Sequence, residues 1–272
     1  MKKNIAVILD QPEKTGGGFT HSINFCKDIQ NKNKNDNLVF HFYCFNNQNY
    51  KNLNKNNIPT KIIKYTFFDI FIKKIMMMLY RSNLLKIFGL SHFEKEMIKD
   101  KIDLIFFTHP ASETVLLRKL NFIYTLWDLC HIDHPEFPEI KYNREFISRE
   151  CIYQLSCSTA VGILVESNFT KEEIIKRYNI DTNKIKKINL YYNKFDKFKE
   201  PPSNEVKKLI EKKYFFYPAQ FWAHKNHIYI IKALRILNEK YNKKVNVIFT
   251  GSDMGNKNFI KKEVKTFNLD SQ

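Results

Sequence analysis

Between Trp127 and His134 the chain crowds an indole, two carboxylates, a thiol and two imidazoles into one short loop: Trp127, Asp128, Cys130, His131, Asp133 and His134. The loop follows an apolar run, Phe122–Leu126, that reads as a buried strand. Doubly wound sheets bind ligands at the C-terminal ends of their strands. A carboxylate and an imidazole placed there suit proton transfer and hydroxyl binding across a cleft. Cys130, His131 and His134 are also metal-ligand types, although no second ligand cluster accompanies them. The same residues would serve equally as a capping loop with an aromatic anchor. His109, in FFTHPAS, ends another apolar run and lies either on the same edge or as a satisfied histidine at a strand end.

Two further segments have residues suited to an anion. LDQPEKTGGGFTHSINF ends a strand near Leu9 and carries Gly16, Gly17 and Gly18 just before a helix opening around Phe19. Glycines let backbone N–H groups approach a ligand, and a helix N-terminus favours negative charge. The pattern is not GxGxxG, so a plain dinucleotide fold is not indicated. A flexible loop is the bland reading, but three of the seven glycines in the chain fall here. The other segment, FFYPAQFWAHKNH, spans Phe215 to His227. Pro218 is expected to end the pairing of a short aromatic strand, and Lys225 falls at or just before a helix start. A cation is unfavourable at that end of the helix dipole; a bound phosphate would reconcile the two, and a solvated loop lysine is the alternative.

The elements that must position these groups alternate along the chain. Expected strands are Asn4–Leu9, Leu38–Phe45, Lys61–Tyr65, Leu104–Phe107, Phe122–Leu126, Val161–Glu166, Ile185–Ile188, Tyr214–Tyr217 and Val245–Thr250. Between them lie helical patterns at Phe19–Ile29, Asp69–Phe88, Tyr142–Cys157, Lys171–Tyr178 and Asn226–Tyr241, the last with Ile230, Leu234, Leu237 and Tyr241 on its packing face. Apolar strands alternating with helices argue for an α/β class with parallel, doubly wound sheets. A charged stretch containing Pro201-Pro202 reads as a linker. The expected division is residues 1–195, a linker at 196–208, and a small second domain at 209–272.

Composition narrows the function classes. At 43% hydrophobic the chain is globular, and its five cysteines, without a CxxC pair, suggest neither a disulfide framework nor a zinc knuckle and fit a reducing cytosol. No apolar stretch reaches the ~18 residues a membrane span needs. The formal charge of +17 suggests an anionic partner or a Lys- and Asn-rich composition without one. The basic, Met-rich pattern around Lys73–Phe88 suits peripheral contact with an anionic membrane, or a core helix with lysine stems at its rim.

Taken in order, Trp127–Glu139 and Tyr217–His227 resemble segments of the family 4 glycosyltransferases of GT-B fold, written WDLCHxDHPEFPE and YPAQFWxHKNH. The similarity runs nearly end to end and points to the subset that builds bacterial surface polysaccharides, many of them mannosyltransferase-like. It implies two Rossmann-like domains and transfer of a hexose, mannose among the candidates, from a nucleotide-diphosphate sugar to a glycan or lipid-linked acceptor. It also implies metal independence, without a cofactor, and retention of anomeric configuration. In the family the glycine-rich loop faces the donor diphosphate, which fits Gly16, Gly17 and Gly18. A basic pair after the first strand of the second domain grips the same group. Lys225 matches its lysine, Asn226 lies beside it, and Gln220 stands where an arginine is widespread. The acceptor-side histidine–aspartate dipeptide appears as Trp127-Asp128. Asp128 therefore carries over as catalytic, His131 is the candidate substitute for the histidine, and His109 and Trp127 fall to the acceptor cleft. The E-x7-E carboxylates of the family lie beyond the stretch seen here as VIFTGSD, and no such motif follows it. The second domain is thus expected to be incomplete, with an exposed apolar face, and the chain alone to transfer sugar poorly. A nucleotide-sugar-binding pseudoenzyme is the alternative. A basic nucleic-acid-binding protein is a third reading, but no base-reading motif supports it and no nucleic acid is expected. The location expected is cytoplasmic, peripheral at the inner face of the membrane.

Overall fold

The computed structural model describes residues 2–33, 37–78, 89–189, 203–211 and 213–270. The expected linker lies outside these residues as far as 202, and the expected helix Asp69–Phe88 is described only to Met78. The chain divides into two compact units, one formed by Met1–Pro135 with Asn143–Tyr192, the other by Glu136–Tyr142 with Asn193–Gln272.

The first unit runs β1 (Lys3–Ile8), α1 (Gly17–Lys32), β2 (Leu38–Cys44), α2 (Asn47–Lys55), β3 (Thr60–Ile62), α3 (Phe67–Met78), α4 (His92–Lys99), β4 (Leu104–Phe107), β5 (Asn121–Leu126) and α5 (Cys130–Asp133). After α6 (Pro138–Lys141), which belongs to the second unit, it resumes with α7 (Glu145–Thr159), β6 (Gly162–Val165), α8 (Asn168–Tyr178) and β7 (Ile185–Lys187). The strands form a seven-stranded sheet in the order β3-β2-β1-β4-β5-β6-β7. Every pairing is parallel, with Ile5–Ile8 of β1 held between Phe40–Tyr43 of β2 and Leu104–Phe107 of β4. The chain builds outward one way from β1 and then the other way from β4, so the direction of winding reverses between these two strands.

Successive strand residues point to opposite faces, and both faces are covered. Ala6, Ile8, Ile105 and Phe107 enter one core with Phe93, Tyr124 and Ile163. Val7, Leu9 and Phe106 enter the other with Ile23, Cys26, Phe42 and Leu53. Each such large side chain, fully buried, contributes about 1.5–3 kcal/mol. Ser91 caps α4 and Ser167 caps α8 by accepting the N–H of the residue three positions on. Glu94 of α4 is buried, and one of its carboxylate oxygens accepts the N–H groups of Arg118, Lys119 and Leu120. α2 and α4, missed by the expected pattern, are polar helices whose buried contacts are few, Asn49 and Leu53 in the first and Phe93, Glu94 and Met97 in the second.

The second unit adds α9 (Asn204–Ile210), β8 (Tyr214–Pro218), α10 (His227–Tyr241), β9 (Asn246–Thr250) and α11 (Lys257–Thr266). β8 and β9 form a two-stranded parallel sheet. Pro218 is in register opposite Thr250 and is the last position of the ladder, so the pairing ends there as expected, where its missing N–H is tolerated. The expected packing face of α10 holds at Leu234, which is buried, and at Ile230, which packs against the same core, while Tyr241 is exposed; His227 and Ile231 are buried as well, the His227 ring stacked on Phe221 at 4.5 Å. Asparagines take much of the backbone work that glycine does elsewhere: Asn57, Asn179, Asn226, Asn242 and Asn268 all adopt positive φ.

Candidate functional site

In the first unit the reversal of winding between β1 and β4 marks where such a sheet opens to a ligand. The sequence-predicted groups at the ends of these strands and of β5 fall on that edge. After β1 come Asp10 and Gln11, a single 3-10 turn at Glu13–Thr15, and Gly16. Gly16 has φ 64°, ψ −111°, a conformation that side chains resist, and it delivers the chain into α1 at Gly17. The first-turn N–H groups of a helix have no intrahelical acceptor. Gly18 is required by a close approach: a Cβ there would lie 2.6 Å from Cη2 of Trp127 and 2.7 Å from Oε1 of Gln11. Gly17 has open space around it.

Trp127 thus packs on the glycine turn. Its indole Nε1 and the Oε1 of Gln11 are both buried with no hydrogen-bond partner among the described residues. Ser22 Oγ of α1 is in the same condition and lines a small cavity with Gln11. Asp128, next in sequence, is half exposed and accepts the N–H of Cys130 at 3.0 Å in a tight turn. Arg149 of α7 lies 4.0 Å from the same carboxylate while holding Glu145 at 2.7 Å. Glu166, just after β6, has its carboxyl pKa raised, by burial first and by the charge of Asp128 second. Asp128 and Glu166 thus lie near enough on this edge for the charge of Asp128 to act on Glu166.

His109 follows β4 as expected and is buried, with Nδ1 3.4 Å from Thr108 Oγ1. Burial pushes its pKa down to about 4, against a smaller opposing pull from Glu113. The imidazole is neutral near pH 7 and is a hydrogen-bonding group there, not a cation. Glu113 accepts from Tyr65 and from Lys73, the latter at 3.1 Å. Burial would raise the Glu113 pKa, but Lys73 and these hydrogen bonds outweigh it and hold the carboxylate ionised.

His131 departs from its expected role. It is fully buried beneath α7, edge-on to Tyr153 at 5.2 Å, with Nε2 3.1 Å from Glu150. Tyr178 donates to the same Glu150 oxygen at 3.0 Å. A side chain so enclosed holds the 127–131 loop in place and does not reach a substrate. Cys130 is no more available, since burial raises its thiol pKa to about 12. Among the described residues no group of His, Cys, Asp and Glu is arranged to hold a metal ion.

In the second unit Lys225 closes a 3-10 turn, Ala223–Lys225, after which Asn226 adopts the left-handed conformation and α10 begins. Lys225 and Asn226 are exposed, and the Lys225 carbonyl accepts the Tyr217 hydroxyl at 2.7 Å, tying the turn to β8. Gln220 Oε1 accepts the Trp222 indole N–H at 3.0 Å. Gly251 of VIFTGSD permits the end of β9 to lie against Ala219, where a Cβ would meet its carbonyl. Glu139 accepts the backbone N–H of His224 at 3.2 Å.

Gln11, Arg149, Glu150 and Glu166 were not singled out from sequence. Only the Glu145–Arg149 spacing of four on one helix gives a signal for any of them; the others depend on which strand lies beside which.

No family model matches the chain, and no curated protein matches it. Solved structures do. Anabaena HepE, in complex with UDP and glucose, is 16% identical with a TM-score of 0.63, over 99% of this chain and 67% of that one. A glycosyltransferase from Rickettsia africae is 15% identical with a TM-score of 0.60, over 98% and 66%. A putative UDP-N-acetylglucosamine 2-epimerase from Listeria monocytogenes is 8% identical with a TM-score of 0.56, over 98% and 66%. The chain thus spans about two thirds of the length of each of these structures. Identities this low speak to architecture alone: the chain has the α/β fold of GT-B glycosyltransferases, its doubly wound first unit followed by a second unit with a two-stranded sheet.

Proposed function

We propose that this protein binds a nucleotide-diphosphate sugar and transfers its hexose to a glycan or lipid-linked acceptor in surface-polysaccharide assembly, as a family 4 glycosyltransferase working at the cytoplasmic face of the membrane. The observation that carries the reading is the glycine turn at the winding reversal, with Gly16 at positive φ and Gly18 under Trp127. It leads into the N-terminus of α1, which favours a diphosphate. Structures solved with UDP and glucose or with UDP-glucose share the fold, which supports a uridine nucleotide as the first donor to try.

The chemistry follows from the residues. A departing diphosphate needs fixed positive charge and N–H donors, and these stabilise it without a metal. In the first unit the α1 amides supply donors; the second unit by itself offers Lys225 and Asn226, a cation and a short polar side chain of the kind that binds a phosphate. Gln220 offers an amide where a second cation would be stronger. Asp128 is the exposed carboxylate, aligned by the Cys130 N–H and Arg149; Glu166, with its raised pKa, is its partner for proton transfer. Neutral His109 and Trp127 line the acceptor side, and His131 positions the loop.

Titration calorimetry with UDP, UDP-glucose and GDP-mannose, followed by a transfer assay with the nucleotide-sugar that binds, tests the reading. Saturable binding by at least one is expected. Binding without turnover favours the pseudoenzyme alternative. Absence of binding to all three, with salt-dependent binding to random oligonucleotides, would overturn the reading.

A further inference from the structure

Residues Glu136–Tyr142 belong to the second unit although the chain on either side of them belongs to the first. Pro138 opens the short helix α6 and Glu139 falls in its first turn, where a proline and an acid are both favoured. Glu139 reaches a turn 85 residues further along the chain. Its Oε1 accepts the backbone N–H of His224 at 3.2 Å and also pairs with Nδ1 of the same imidazole. The Glu139 side chain is only 11% exposed. Burial would raise its pKa, but hydrogen bonds from its own backbone N–H and from His224 outweigh that and hold the carboxylate ionised.

The His224 ring is held on its flanks as well. Phe137 lies 5.8 Å away, and Trp222 stacks at 6.3 Å, itself fixed by donating to Gln220. With Nδ1 turned to Glu139, the second ring nitrogen, Nε2, is left for a ligand; among the described residues it has no hydrogen-bond partner. The side chain is 36% exposed. His224 stands next to Lys225 in the turn that the Tyr217 hydroxyl ties to β8. Gln220, engaged by Trp222, brings no charge to this end of the second unit.

We infer that His224, oriented by Glu139, is a second phosphate ligand of this turn beside Lys225 and supplies the positive charge that Gln220 does not. This rests on the nucleotide-diphosphate reading and deepens it. A phosphate oxygen at Nε2 and the Glu139 carboxylate at Nδ1 put an anion at each nitrogen. Only the imidazolium has an N–H on both and donates to both at once. Phosphate binding therefore takes up a proton from solvent, which a side chain that only braces the turn would not do. Glu139 is a positioning residue that fixes which nitrogen faces outward. Against the ring lie Glu139 and Phe137 from one segment and Trp222 from its own turn, and of these Glu139 alone titrates.

Inorganic pyrophosphate is the first probe, because it asks for the phosphate grip without a nucleoside or sugar. Calorimetry of the full chain near pH 8, above the ordinary histidine value of about 6.5, in two buffers of different ionisation enthalpy reads affinity and proton uptake together. His224→Gln should bind about tenfold more weakly, the scale of one charge-assisted hydrogen bond, and take up fewer protons than the parent. His224→Arg, charged at any working pH, should bind more tightly than His224→Gln without regaining the proton uptake. Glu139→Gln should lose about threefold, since its amide oxygen still accepts but without charge. Melting temperatures verify that the variants fold. No pyrophosphate binding by the parent, equal affinity in His224→Gln, or equal proton uptake in the two would overturn the inference. The expected differences with pyrophosphate, but no binding of UDP, UDP-glucose or GDP-mannose, would support it and sink the nucleotide-sugar reading alone.

Discussion

β4 reads LIFF and β8 reads YFFYP, two runs nearly alike in composition and both parallel strands, yet they meet opposite fates. Ile105, Phe106 and Phe107 of β4 are buried, the middle one in one core and its neighbours in the other. In β8, Phe215 is 70% and Phe216 56% exposed, although their side chains lie on opposite faces of the strand. Parallel strands are stable when both faces are covered, and among the described residues of the second unit one small core forms, around Phe221, Ile231, Leu234, Ile260 and Leu269. An apolar run therefore specifies a strand; its neighbours decide whether the strand is interior.

Substitutions can break or sharpen this contrast. The largest effect is expected at Phe107→Ala, which empties a fully enclosed site in a central strand and should cost about 3–5 kcal/mol in urea unfolding. Next, Gly18→Ala forces Trp127 and Gln11 apart at the first unit's glycine turn; a loss of about 1–3 kcal/mol is expected, with weaker UDP binding, read by calorimetry. In the second unit, Lys225→Ala should weaken UDP binding about tenfold, the scale of one charge-assisted hydrogen bond, and leave the melting temperature unchanged because the side chain is exposed. The smallest effect belongs to Phe215→Ser, expected within ~0.5 kcal/mol with improved solubility. If Phe215→Ser cost as much as Phe107→Ala, β8 would be an interior strand in solution and the comparison would fail.

Acid provides an independent probe. His109 is buried neutral with a pKa near 4, against an ordinary value of 6.5. Above pH 6.5 it is neutral both folded and unfolded and has no effect on the balance. As pH falls from about 6.5 towards 4 the unfolded chain takes up a proton that the native state refuses, so stability declines. Burial lowers the pKa of His131 and His227 as well. Melting temperatures between pH 7.5 and 4.5 should fall in the parent and fall less steeply in His109→Gln; parallel curves would remove His109 from the account.

Much of the fold was legible in the sequence because doubly wound sheets are built from short apolar runs set between amphipathic helices, and all nine expected strands form among the described residues. The helices α2 and α4 were not read, because Asn- and Lys-rich segments anchored by only two or three buried residues carry little periodicity. On α10 the pattern found Leu234 and Ile230 but not His227, whose burial comes from its stack on Phe221. At the candidate site, glycines and strand ends were visible as local patterns. Arg149 and Glu166 were not, since each acquires its role from a carboxylate on another element.

By itself the sequence determined the alternation of strands and helices, the glycine turn that opens α1, and the placement of Trp127, Asp128 and His109 after strands, because each depends on residues close together in the chain. Only the tertiary structure decided the order of the strands, which puts the winding reversal between β1 and β4 and so brings Gly16 and His109 to one opening. It also enclosed His131 against Glu150 and Tyr153, left β8 and the outer stripe of α3 exposed, and set Glu166 within the field of Asp128. Burial and electrostatic coupling are properties of neighbours in space, and neither is written in the spacing of residues along one strand.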